Sequence, residues 1–372
     1  MGNRSLVILI NTMNGGGAEK VCLTLCNYFA EKGLDVSLIL IRHQGVFLNS
    51  LHPNVKVSSL HPRLVRANIV GRLIAFWWLL VKLRPVAVLA VGEWPNVIAP
   101  LSNILYANKA RVVISEHNAL TFINAPEKYG RSKLLSLIAK FAYTKTNQIV
   151  YVSEEVKKSV LRTLPRIEAK GITINNPIDS KLIQELSSQP FEHHWINDHS
   201  LKVIVSVGRF YEQKDYPTLI AAFADAYSKN RSLRLVILGV GPLQNEIEAR
   251  VSDLGIAQAV DFMGFQDNPY RIMSRAVCLL HSAKYEGFPM VFVEAMACGL
   301  PIVTTNCNIP LEIFDGQDLQ YVVPVSDSAA LAQALLSRIE LPVDKKTIMA
   351  KVSKYDVVNI AELYMDSLGL SA

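Results

Sequence analysis

Two carboxylates, Glu286 and Glu294, stand eight positions apart in the run Glu286-Gly287-Phe288-Pro289-Met290-Val291-Phe292-Val293-Glu294-Ala295-Met296-Ala297-Cys298-Gly299-Leu300-Pro301. Gly287-Phe288-Pro289 reads as a turn, and the apolar residues after it as a helix that Gly299 and Pro301 close. A helix that begins directly after a turn presents backbone N–H groups with no intrahelical partner, together with the positive end of its dipole. Both suit a leaving diphosphate. Glu286 lies before the turn and Glu294 inside the helix, so the two can face one pocket. A buried helix with two surface acids is the plainer alternative. It accounts for either acid alone better than for the whole pattern.

A second charged constellation is Val207-Gly208-Arg209-Phe210-Tyr211-Glu212-Gln213-Lys214-Asp215. It follows an apolar strand, and ligands of open α/β sheets bind at strand ends. Gly208 permits a close turn, and Arg209 with Lys214 can neutralise a diphosphate through charge-assisted hydrogen bonds. Two solvated loop cations are the competing reading. Gly15-Gly16-Gly17 ends the first strand and begins the first helix, where glycines allow a phosphate or substrate close to the backbone. It is not GxGxxG, and the nearest approach to that fingerprint, Gly239-Val240-Gly241-Pro242, is broken by Pro242 and Asn245. His117 closes another predicted strand and can hydrogen-bond or polarise a bound group there. A lone histidine, however, is more often structural. No Asp-x-Asp occurs, so the carboxylate pair that usually holds Mg²⁺ or Mn²⁺ on a nucleotide diphosphate is missing. Positive side chains and helix-end amides must then stabilise the leaving group.

Those residues need a scaffold of strand ends, and the chain supplies it. Apolar strands are predicted over 6–10, 36–41, 86–91, 112–115 and 148–152, with helices between them. The rhythm restarts with strands over 202–207, 233–238, 260–263, 277–281 and 302–304. This is the βαβ alternation of doubly wound parallel sheets. Residues 177–200 lack strong periodicity and are expected to form a linker region, with His193, His194 and His199 in a solvated loop. A length of 372 residues agrees with two domains. The tail over 355–372 is helical in pattern.

Charge is uneven. Residues 1–176 hold 22 Lys+Arg against 9 Asp+Glu, while residues 177–372 hold 16 against 23. No acid falls between Asp35 and Glu93, where Arg42, Lys56, Arg63, Arg66, Arg72, Lys82 and Arg84 all lie. The first half therefore expects an anionic partner. Residues 68–84 place Trp77 and Trp78 among bases, the composition of an interfacial membrane helix; a core helix on the sheet carries nearly equal weight. The five cysteines have no CxxC or zinc spacing and read as small core residues in a reducing compartment. No signal peptide or spanning helix is evident.

With these residues in place, the chain resembles the retaining GT-B glycosyltransferases of family 4 over nearly its whole length. Glu286 and Glu294 match the E-x7-E motif. The resemblance implies that Glu286 lies near the donor sugar and Glu294 near the ribose, with Gly287, Phe288, Pro289, Met290 and Val291 lining the donor site between them. Arg209 and Lys214 match the diphosphate-binding pair, Gly15, Gly16 and Gly17 the N-terminal glycine loop, and His117 a histidine that contacts the donor sugar. Gly264 and Phe265 resemble the segment that frames the base. The stretch from Asp315 to Val323 departs from the family's Asn-Gly pattern.

The implied fold is α/β of the GT-B type, two Rossmann-like domains facing a cleft. The implied domains are residues 1–176 with a crossover helix at 355–372, and residues 201–354, which bind the nucleotide sugar. The implied activity is transfer of a hexose or N-acetylhexosamine with retention, without metal or cofactor, the departing diphosphate helping to take the acceptor proton. UDP is the expected nucleotide, with GDP-mannose as the alternative. The acceptor is expected to be a glycan, lipid-linked, in bacterial surface polysaccharide synthesis. The enzyme is expected in the cytoplasm, peripheral on the inner face of the membrane, with an anionic membrane surface rather than nucleic acid as partner. A nicotinamide oxidoreductase and a non-catalytic membrane-binding protein are the rivals from other classes.

Overall fold

The computed structural model describes residues 4–60, 69–117, 133–308, 310–314 and 316–371. The chain divides into two compact units, Met1–Ile178 with Tyr355–Ala372, and Asp179–Lys354.

In the first unit, short apolar runs form the inner strands of a parallel sheet and are covered on both faces, while the strands at its two edges stay partly exposed. The strands are β1 (Ser5–Ile10), β2 (Asp35–Leu40), β3 (Lys56–Ser59), β4 (Ala87–Val91), β5 (Arg111–Glu116), β6 (Gln148–Tyr151) and β7 (Gly171–Thr173). Their order is β3-β2-β1-β4-β5-β6-β7 and every pairing is parallel. The chain winds outward from β1 to β3, then crosses back to β4. Such a reversal parts the loops that leave neighbouring strands and opens a crevice at their carboxyl ends. The helix Gly17–Glu31 follows β1 and buries Val21, Cys22, Leu25, Cys26 and Phe29, the three-to-four spacing of one face.

The C-terminal helix Val357–Leu368 also belongs to this unit. Asp356 caps its start by accepting from the Val358 amide, and Gly369 ends it in the left-handed conformation. It packs beside Gly17–Glu31 and over β5. Arg111 Nε donates to the Ser367 carbonyl at 2.6 Å. A parallel bridge pairs Ile178 with Asp356.

The second unit repeats the plan with β8 (Lys202–Val207), β9 (Leu233–Leu238), β10 (Val260–Gly264), β11 (Cys278–His281), β12 (Ile302–Thr305) and β13 (Val322–Val323). The order is β10-β9-β8-β11-β12-β13, again all parallel. Its reversal lies between β8 and β11, where Ile204 faces Cys278 and Val205 faces Leu279. Phe210, Tyr216, Phe223, Leu235 and Leu280 fill the core beneath.

Within the polar stretch 177–200, Ser180–Ser187 is a helix, because Asp179 caps it and Ile183 gives it one buried anchor. The solvated-loop expectation for the histidines there fails at His193. Its side chain is only 7% exposed, its Nε2 lies 2.9 Å from Asp261, and its ring stacks on Phe191 and His194. All five cysteines are buried, and burial pushes the Cys26 and Cys278 thiols up to about 12.

Candidate active site

In the second unit the site is assembled by the two loops that leave β8 and β11 at the sheet's reversal. The β8 loop turns at Gly208 and continues through a short 3-10 turn, Glu212–Lys214. It is held from below by Asp215, a buried residue in the left-handed conformation. Asp215 Oδ2 accepts from Thr218 and Ser326 hydroxyls, each at 2.9 Å. The β11 loop is fastened to it. Ser282 Oγ shares its hydrogen between the Lys214 and Asp215 carbonyls at 2.7 and 2.9 Å. The Lys284 amide donates to the Gln213 carbonyl at 2.9 Å, and Gln213 Nε2 donates to the Tyr285 carbonyl at 2.7 Å.

This stitching brings Lys214 and Glu286, 72 residues apart, into a tight ion pair. Gln213 Nε2 reaches the second carboxylate oxygen at 3.4 Å, and His281 Nε2 lies 3.3 Å from the first. The other His281 nitrogen, Nδ1, is 3.1 Å from Thr304 Oγ1. Burial by itself would raise the Glu286 carboxyl. The Lys214 charge and the His281 contact override it and hold the carboxyl down at about 2. Glu286 is therefore a fixed carboxylate at neutral pH, an acceptor and a negative charge rather than a proton donor. Burial lowers the His281 imidazole, so it sits there neutral.

Arg209 and Lys214 open together onto a hollow of about 590 Å³ that Tyr211, Pro242, Leu243 and Tyr285 also line. The Arg209 guanidinium lies 5.4 Å over the Tyr211 ring. A hollow lined by two cations and by aromatic and aliphatic side chains suits an anion with an apolar appendage. The Gly239-Val240-Gly241 stretch that imitated a dinucleotide fingerprint has a packing role. A Cβ on Gly239 would sit 1.9 Å from the Gly208 carbonyl oxygen, and one on Gly241 would sit 2.6 Å from the Phe210 amide. These glycines let the β9 loop lie against the β8 loop. Gly264, at positive φ, ends β10 and accepts from the Gly239 amide at 2.8 Å; Phe265 after it is exposed.

Glu286 leads into the helix Met290–Ala297, which is buried along its whole length. Its start has no side-chain cap, so the amides at Met290 and Val291 lack the cover that Ser, Thr, Asp or Asn provides at other helix starts. Glu294 is the one charged residue on this apolar helix and is 5% exposed. A carboxylate taken out of water in such surroundings is costly unless it serves a bound group or a partner.

In the first unit, Gly16 caps the helix Gly17–Glu31 without a side chain, and Gly15 stands at φ 90°. A Cβ on Gly16 would fall 2.4 Å from a Glu19 carboxylate oxygen. The loop therefore presents backbone rather than side chains at the end of β1. His117 follows β5, and burial lowers its imidazole to about 4, so the ring is neutral. Beside it, buried Glu116 accepts from Tyr143 Oη and from Asn96 Nδ2.

The sequence reading named Glu286, Lys214 and Arg209, which the second unit brings together, and His117, which lies in the first unit; it did not name Gln213, Asp215, His281, Ser282 or Thr304. The only available signal was position. His281 and Thr304 close strands beside the reversal, and Gln213 and Asp215 flank Lys214. Among the described residues no group of three His, Cys, Asp or Glu side chains could hold a metal ion, and no helix is long and apolar enough to cross a membrane. Arg63, Arg66 and Asp315 lie outside the described residues.

Comparison with known proteins agrees with this architecture. The model of Glycosyltransferase Family 4 matches residues 15–182, and that of Glycosyl transferases group 1 matches residues 191–354. The chain is 26% identical over 349 residues to the N-acetylgalactosamine-N,N'-diacetylbacillosaminyl-diphospho-undecaprenol 4-alpha-N-acetylgalactosaminyltransferase of Campylobacter jejuni, covering 91% of this chain and 90% of that one. It is 29% identical over 184 residues to a glycosyltransferase of Methanocaldococcus jannaschii, spanning 49% of this chain and 45% of that one. Among solved structures, Anabaena HepE in complex with UDP-glucose superposes with a TM-score of 0.80 at 18% identity, covering 98% of this chain and 99% of that one.

Proposed function

We infer that this chain, which belongs to the GT-B glycosyltransferases with a family 4 domain followed by a group 1 domain, moves a UDP-linked hexose or N-acetylhexosamine onto a lipid-linked glycan with retention of configuration. The observation that carries this reading is the Lys214–Glu286 pair, set beside Arg209 at the reversal of the second sheet. Lys214 and Arg209 stand where a diphosphate can be neutralised, and Glu286 stays ionised where positive charge develops on a departing sugar. The UDP preference is supported by the UDP-glucose complex of Anabaena HepE. The acceptor class is supported by the diphospho-undecaprenol-linked acceptor named for the Campylobacter jejuni relative. GDP-mannose is the competing donor.

The test is UDP or GDP release across a panel of nucleotide sugars with an undecaprenyl-diphosphate glycan as acceptor. Release from a UDP-sugar with an α-linked product is expected. Activity is expected to persist in EDTA, because neither an Asp-x-Asp sequence nor a described acid cluster offers a divalent ion its ligands. Loss on chelation with recovery in Mn²⁺ would overturn the metal-free reading; GDP-mannose turnover alone would overturn UDP.

A lipid-linked acceptor requires the enzyme at a membrane, and the first unit carries a surface suited to anionic lipid. The helix Ile69–Leu83 exposes Val70, Ile74, Trp78 and Val81 along one side, and the helix Lys133–Lys145 exposes Leu134, Leu137 and Phe141. Trp77 is not part of this ridge, since its indole N–H donates to the Leu105 carbonyl at 3.1 Å. Phe76 and Leu80 face the core. Neither helix contains an acid. Lys82 reaches over the Trp78 ring and Lys145 over the Phe141 ring, as long cations do when they lift their charge to headgroup level. Burying each large apolar side chain contributes about 1.5–3 kcal/mol, and each cation near anionic lipid about 1 kcal/mol.

Sedimentation with phosphatidylglycerol vesicles is expected to capture the protein at moderate salt, and Trp78→Gln with Phe141→Gln to release it while UDP binding persists. Retention of the variant, or no capture of the wild type, would overturn the docking surface. A stable dimer that covers Trp78 would replace it with a protein interface.

A further inference from the structure

Three buried side chains in the first unit form one hydrogen-bonded chain. Ser115, on β5, places Oγ 3.1 Å from His117 Nε2. The same oxygen lies 3.2 Å from the hydroxyl of Tyr364, which comes from the C-terminal helix 249 residues later. Ser115 and Tyr364 are fully buried, and His117 nearly so. Burial pushes the Tyr364 phenol up, so it keeps its proton, and keeps the imidazole neutral.

Three proton arrangements satisfy the distances. In the first, Tyr364 donates to Ser115 and Ser115 donates to Nε2, so the imidazole proton is on Nδ1. In the second, Nε2–H donates to Ser115 and Ser115 to Tyr364. The phenol hydrogen is then stranded, since Tyr364 makes no other side-chain hydrogen bond among the described residues. In the third, both neighbours donate to Ser115 and the serine hydrogen is stranded. Leaving a buried hydroxyl hydrogen without an acceptor carries its full desolvation cost. Only the first arrangement avoids it.

We propose that Tyr364, acting through Ser115, fixes His117 as the Nδ1–H tautomer, so that the ring presents a hydrogen-bond donor on the side away from Ser115. Ser115 donates a hydrogen bond to the bare Nε2, and Tyr364 holds the serine hydroxyl in the rotamer that does so. Given the glycosyltransferase reading above, on which the catalytic use of the tautomer rests, Nδ1–H donates to a hydroxyl of a sugar bound at the carboxyl end of β5. Ser115 and Tyr364 are then positioning residues. The C-terminal helix enters the chemistry by setting which nitrogen carries the proton.

Selective ¹⁵N labelling of the eight histidines, with His117 assigned by loss of its signals in His117→Gln, reads the tautomer directly. The expected wild-type result is a protonated Nδ1 and a bare Nε2 at pH 7. Ser115→Ala is expected to shift the ring toward Nε2–H and to lower kcat about fivefold, the rate equivalent of one hydrogen bond. UDP affinity should be unchanged, and an unchanged far-UV circular dichroism spectrum reports an intact first unit. Tyr364→Phe should move both readouts in the same direction by less. A wild-type ring protonated on Nε2 overturns the proposal. So do unchanged tautomer and turnover in both variants. The outcomes separate from those of the enzymatic reading: if no nucleotide sugar is turned over, that reading fails, while the nitrogen shifts still decide the tautomer.

Discussion

Glu286→Gln is expected to cut turnover about 10²–10³-fold, the usual cost of removing a preorganised charge from the place where charge develops, while UDP affinity stays the same or tightens. The asymmetry follows from the ion pair. Glutamine keeps the shape but loses the charge, so the sugar-side stabilisation is lost. At the same time Lys214 is released from the carboxylate that now holds it and becomes fully available to phosphate oxygens. Isothermal titration with UDP and steady-state kinetics with the active UDP-sugar measure the two sides separately. Weaker UDP binding together with near-normal kcat would place Glu286 on the nucleotide instead.

Lys214→Ala should have the converse signature. Loss of a charged hydrogen bond to the diphosphate, about 1.5–3 kcal/mol, corresponds to UDP binding weaker by roughly 10–100-fold. The variant also frees Glu286 from the charge that depresses it. Burial is then opposed by the His281 contact without the Lys214 charge, and the carboxyl rises from about 2 toward the ordinary carboxylate range. The acid limb of kcat/KM is expected to move up accordingly.

Stability should follow with a definite sign. In the wild type the folded-state value lies below the unfolded one, so Glu286 contributes stability at pH values above the ordinary carboxylate value of 4.5 that fades as pH falls toward 2. In the variant that contribution is gone, so the stability gap between the two proteins should widen from pH 2 to pH 7 in urea titrations. An unchanged acid limb and a gap independent of pH would show that Lys214 does not set the Glu286 charge. Because the two residues share one contact, the double variant should lose less than the sum of the single losses.

Much of this site was legible from local pattern. The run from Glu286 to Pro301 announces a turn, a helix and a stop because Gly, Phe-Pro and Gly-x-Pro act on their own few residues. The helix found at Met290–Ala297 lies inside that reading. The strands were legible for a similar reason. An apolar run of five or six residues between turn residues has few other ways to be buried, and β1, β8 and β9 follow the predicted stretches to within a residue. The stretch 177–200 was less legible. One cap at Asp179 and one anchor at Ile183 make a helix too short to show periodicity, and the contact that buries His193 comes from Asp261, 68 residues away.

The sequence by itself determined the elements and the loops that carry chemistry, because turn geometry, caps and hydrophobic continuity act over a few neighbouring residues. It placed cations after β8 and a carboxylate after β11 without showing that they meet. Only the strand order, which sets β8 beside β11, joins Lys214 to Glu286 and adds Gln213 and His281. Ionisation at this site was likewise a tertiary outcome. Whether a carboxyl in a buried loop is charged depends on which cation the fold brings against it, and whether His117 carries its proton on one nitrogen or the other depends on hydroxyls from β5 and from a helix near the end of the chain.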